Sequence, residues 1–222
     1  MLFHNNFDRK MDMDFPDSKP YGKTLGEWAE EWIKWALSIP KKRNPAYDSS
    51  GEYSNTNQSG PVFYLAGTFG GFVKRQCSIP SGKSIFFPVI EKECSFVEDQ
   101  DLHNEHDLHN RARQFIDCVT HLEFSLDGVS WPDLKKYRVH SEVFDLIFPS
   151  DNVYDVVPGP TRSVTDGYWM FLRPLTIGKH EIFFSGEASL PENSKLVELA
   201  RHYNKIKGTV FTTGVNYNIQ VI

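Results

Sequence analysis

A chain of 222 residues with 40% hydrophobic and 14% aromatic content carries enough apolar material for a sizeable core, in one large β domain or two small ones. Its net charge of −5 argues against a general nucleic-acid binder, which concentrates lysine and arginine on one face. No window nears the roughly 18 apolar residues of a membrane-spanning helix, and residues 1–20 lack the apolar stretch of a secretory signal.

Residues 1–20 are polar and Asp-rich and end in Pro16 and Pro20, which reads as an irregular arm ahead of a single domain over 21–222. Thr24 and Glu27 then fit a capping box, in which hydroxyl and carboxylate satisfy orphan backbone N–H groups. The pattern predicts a helix over 25–37 that stops before Pro40. Trp28, Trp32 and Trp35 fall at i, i+4 and i+7 and share one face. That stripe either packs on a sheet or presents aromatic rings to a ligand.

The loop at 44–60 alternates Asp48, Ser50 and Glu52. These oxygens could meet calcium, or could bond their own backbone. Residues 61–66 read as a buried strand and 67–71 as a glycine turn or kink without the Gly-Lys-Ser/Thr ending of a phosphate loop. Strands follow at 72–78 and 84–90, and Pro88 marks an edge or a bulge in the second. Helical spacing of Leu108, Ala112, Phe115 and Ile116 predicts a second helix from about Glu105.

That helix begins in a histidine-rich stretch. His103, His106 and His109 recur every third residue, with Glu105 and Asp107 between them. Imidazole with carboxylate suits zinc, nickel or copper, although the His-Glu-x-x-His spacing of metalloproteases is missing. A solvated helix start is the alternative. Further on, 121–126 is a strand closed by the turn Asp127-Gly128, 137–148 holds one or two strands, and 152–162 is a long loop through Pro158-Gly159-Pro160. The runs 168–172 and 180–184, joined through Gly178, read as a β-hairpin. A third helix is expected over 193–203, with Leu196, Leu199, Ala200 and Tyr203 inward. The end alternates strictly, with Val215, Tyr217, Ile219 and Val221 on one face.

The elements together predict a mostly β domain, an antiparallel β-sandwich of jelly-roll or Ig-like type with about three peripheral helices. The three cysteines match no zinc spacing. A chain that leaves a strand, forms a helix and returns to the sheet brings Cys94 and Cys118 together as the favoured disulfide. Three reduced thiols are the competing expectation.

Several segments in order resemble a poorly characterised bacterial and archaeal family. They are Pro20-Tyr-Gly-Lys-Thr with Glu27-Trp28, Gly60-Pro-Val with Leu65-Ala-Gly-Thr-Phe-Gly-Gly71, Pro80-x-Gly-Lys83 with Phe86-Phe-Pro-Val89, and Asp166-Gly-Tyr-Trp with Arg173-Pro-Leu and Gly178-Lys-His180. The resemblance implies a sandwich-like domain and members that often look exported. Members carry a leader and an extra cysteine near Tyr53; this chain shows neither, which leaves Cys77 without the implied partner. No catalytic residue is carried over.

The leading functional expectation is a non-catalytic binding or structural module, with the cell surface as one setting. Trp28, Trp32, Trp35, Trp131 and Trp169 are its available anchors for a carbohydrate or protein ligand, and no cofactor is called for. The alternative is a metal-dependent hydrolase built on His103, His106 and His109.

Overall fold

The computed structural model describes residues 13–202 and 206–222. Residues 1–12 of the expected arm and Tyr203 of the expected third helix lie outside these. In chain order the elements are α1 (Leu25–Ser38), β1 (Val62–Tyr64), β2 (Gly71–Ile79), β3 (Ser84–Ser95), α2 (Glu105–Ile116), β4 (Val119–Leu126) and β5 (Val129–Ser130). Then come β6 (Arg138–His140), β7 (Phe144–Phe148), β8 (Gly159–Leu172), β9 (Gly178–Ser189), α3 (Lys195–His202), β10 (Ile206–Lys207) and β11 (Val210–Val221).

The strands form two sheets. One runs β1-β3-β8-β6 with β7 also on β8; the other runs β10-β11-β9-β4-β5 with β2 also on β11. Both are mixed, which corrects the expectation of antiparallel sheets. β1 lies parallel to β3, and β2 parallel to β11. The cause is the route of the chain. It leaves β1, crosses to the other sheet as β2, and returns as β3. The Gly-rich segment 67–71 makes the first crossing.

The expected hairpin at 168–184 is also corrected. β8 pairs with β3, β6 and β7, whereas β9 pairs with β4 and β11. Residues 173–177 carry the chain between sheets. The sequence reason is visible in β8, where every residue from Ser163 to Leu172 is buried. A hairpin with one wet face alternates, whereas a strand covered on both faces reads as a continuous apolar run. Trp169 and Phe171 pack with Trp28, Trp32 and Phe86 beneath α1. Tyr168, Met170 and Leu172 join the core shared with Phe124, Ile182, Phe184 and Tyr217 of the other sheet. β8 also begins at Gly159, inside the stretch expected to be loop.

Among the described residues three α-helices decorate the sheets. Thr24 and Glu27 form the expected reciprocal cap of α1. α2 lays Leu108 and Ala112 on Cys94 and Val164, and α3 adds Leu196, Val197 and Ala200 to the core between the sheets. At Gly186 a Cβ would stand 2.7 Å from the Ile90 Cβ, so the close approach of β9 to β3 needs glycine there.

Candidate functional site

β3 is 12 residues long, but β1 pairs only with Ser84, Ile85 and Phe86. Past Phe86 no strand lies beside that edge of β3 among the described residues. The residues from Pro88 to Glu93 then line one half-enclosed cleft. Side chains along a strand alternate between faces, so six in a row can border one space only along an edge. A bulge between Pro88 and Ile90 bends the strand there, and Pro88 suits an edge because it has no N–H to pair.

The cleft has a volume of about 100 Å³. Trp32 and Ala36 of α1 and Phe69 of the crossing form one wall; Leu199 and Ala200 of α3 and Phe211 of β11 form the other. The Trp32 indole N–H donates to the Leu65 carbonyl at 2.9 Å, which fixes the ring. The wall carrying Ala46 and Gly67 is fixed by a buried arginine. Arg75 is 1% exposed and donates to the carbonyls of Ala66, Gly67, Asp48 and Ala46 and to the Tyr217 hydroxyl.

One end of the cleft is charged. Glu91, Lys92, Glu93 and Glu98 all line it. The Lys92 ammonium bonds Glu98 at 3.0 Å. Burial works against that ammonium, but Glu98 and the neighbouring acidic groups outweigh it and hold Lys92 well above the ordinary lysine range. Glu93 is 1% exposed. The Ser163 hydroxyl donates to its Oε1 at 2.5 Å, while its Oε2 is buried with no hydrogen-bond partner among the described residues. Burial first, then the Glu98 charge, push the Glu93 carboxyl well above the usual carboxylate range, only partly offset by Lys92 and Ser163. Arg111 of α2 ties the following loop down by bonding Asp99 and Asp101, each at 2.7 Å.

The residues singled out from the sequence divide. Trp28, Trp32, Trp35 and Trp169 are all 6% exposed or less and form one aromatic core cluster. As open anchors they are corrected: Trp28 and Trp32 pack on Phe171 and Trp169 of β8 and Trp35 on Tyr64 of β1, rather than facing solvent, and only Trp32 of the stripe reaches the cleft. Trp131 is half-buried against Phe124. His103 precedes the helix cap Asn104, while His106 and His109 line a polar hollow with Arg113, His140, Glu142 and Asp166. The three histidines therefore do not share one point, and the described residues offer no group of three or more His, Cys, Asp or Glu placed to hold a metal.

The expected Cys94–Cys118 bridge is corrected as well: all three cysteines are free. Cys94 lies under Leu108 and Ala112 of α2, whereas Cys118 follows the end of that helix, and four residues of helix already separate Ala112 from Ile116 by about 6 Å. The Asp48 carboxylate is occupied by the Ser50 N–H, the Ser50 hydroxyl and the Tyr53 N–H, so it folds its own loop.

Sequence reasoning missed the cleft. It ended the third strand at Ile90, where charged residues begin, although the strand continues to Ser95. The available signal was Glu91-Lys92-Glu93 directly after an apolar run without an intervening turn residue.

No family model matches the chain, and no curated protein matches it. A solved structure described as PbICP-C in complex with falcipain-2 aligns over 73% of this chain and 100% of that one, with 10% identity and a TM-score of 0.24. A likeness of that size carries no argument.

Proposed function

We propose that this chain is a non-catalytic binding module on a β-sandwich scaffold, of the kind the family resemblance implies. It takes one apolar-bodied side chain of a protein ligand into the cleft beside β3. The observation that carries the reading is the cleft itself: apolar walls, a few convergent polar groups and a carboxyl with a perturbed pKa in one concavity. Its volume of about 100 Å³ is that of a side chain rather than of a drug-sized molecule. A carbohydrate ligand loses support because four of the five tryptophans are core.

The test uses n-butanol as an apolar probe. Saturation-transfer NMR should detect it bound to the intact chain and lose the signal in Ala200→Phe, whose ring fills the cleft. Equal signals from both proteins, with both folded by circular dichroism, would contradict the proposal.

A further inference from the structure

Resting on the reading of the cleft as a side-chain pocket, we propose that its occupant is a lysine side chain of the protein partner, with its methylene stem between Trp32, Phe69 and Val89 and its ammonium at Glu93. Two observations set the chemistry. The space is lined mostly by apolar side chains, and Glu91, Glu93 and Glu98 line it as well. Few side chains match both halves; lysine combines a flexible hydrocarbon stem with a compact cationic head.

The charges at that end leave a place for the ammonium. Lys92 already neutralises Glu98. Thr165 of β8 donates to Glu91 at 3.4 Å, and Ser163 of β8 donates to Glu93 Oε1. Glu93 Oε2 takes no bond from any described residue. Oε2 is shielded in the free protein; once the Glu93 side chain turns toward the cleft, an arriving ammonium supplies the missing donor and a positive charge together. Burial and the Glu98 charge push the Glu93 carboxyl above its ordinary range in the free protein; an ammonium beside it favours the ionised form, so any proton the carboxyl holds passes to solvent as the ion pair forms.

The probes are n-butylamine, n-butanol and n-propylguanidine, titrated into the full chain by calorimetry at pH 7.5. Butylamine should bind at least tenfold more tightly than butanol. Its enthalpy should vary with the ionisation enthalpy of the buffer, giving release of up to one proton per molecule. In Glu93→Gln the preference for the amine should vanish while butanol still binds. Should that variant fail to fold, the wild type's preference for butylamine over butanol and over propylguanidine decides. Equal affinities, an enthalpy independent of buffer, a preference kept in Glu93→Gln, or tighter binding of the guanidine would each overturn the lysine assignment. Such results with butanol bound leave the cleft reading standing, whereas no binding by any probe refutes the cleft reading itself.

Discussion

Trp32→Ala offers the most informative perturbation, because Trp32 belongs to both the core and the cleft. The ring is 5% exposed and lies 5.6 Å from Trp169 and 5.8 Å from Trp35. A tryptophan buries about 200 Å², which at about 25 cal/mol per Å² is worth about 5 kcal/mol as an upper figure. Large-to-alanine changes at such sites cost about 3–5 kcal/mol. The Leu65 carbonyl also loses its indole donor, worth about 1 kcal/mol if nothing replaces it. The adjoining cleft works the other way, since it admits water to that carbonyl and lets neighbours relax. The net expectation is about 4 kcal/mol. Trp32→Phe keeps most of the buried area and should lose only about 1–2 kcal/mol, the hydrogen bond and a smaller ring. Urea unfolding followed by far-UV circular dichroism gives both numbers from the shift in midpoint at constant slope. A loss below about 1 kcal/mol for Trp32→Ala would show that the ring is not part of a packed core, and the reasoning would fail.

Other expectations follow from the same geometry. Arg75→Met strips donors from the Asp48 and Gly67 carbonyls and should destabilise by about 3 kcal/mol in the same urea assay; a change within about 0.5 kcal/mol would mean that the loop is held by something else. The raised pKa of Glu93 makes the folded state hold a proton that the unfolded chain releases, so its contribution is harmless below the unfolded carboxyl value and increasingly unfavourable as pH rises above it. Glu93→Gln should therefore gain stability over wild type between pH 4 and pH 8, read as a growing difference in Tm; a difference constant with pH speaks against a buried neutral carboxyl. Thiol titration in denaturant without reductant should find three free thiols per chain. In the native state Cys118 should react first: burial pushes Cys77 up to about 12 and Cys94 well above the thiol range.

Much of the fold is legible in the sequence where one local signal suffices. The Thr24–Glu27 cap and the Pro40 stop bound α1, and the alternation from Val215 to Val221 identifies β11 with its buried face. Asp127-Gly128, both at positive φ, makes the β4–β5 turn. What local signals do not carry is partnership. The runs on either side of Gly178 have hairpin chemistry, yet each finds its neighbours elsewhere, because β8 needs cover on two faces and obtains it from α1 and the opposite sheet. The site is less legible for a related reason. Glu93 is one glutamate among many until burial, Ser163 and Glu98 give it its character, and the cleft exists because β1 is short and turns away after Tyr64. Both depend on residues far apart in the chain.

The central claim is that the space between Trp32, the β3 edge and Ala200 is a ligand site. The five tryptophan indole N–H signals test it directly in a 15N-labelled chain titrated with n-butanol. Trp32 alone among the five lines the cleft, while Trp28 and Trp35 donate to the Pro20 and Thr56 carbonyls away from it. The Trp32 signal should move the most and saturate, with Trp28, Trp35 and Trp131 nearly still. Uniform drift of all five, or a Trp32 signal that does not move, would contradict the account.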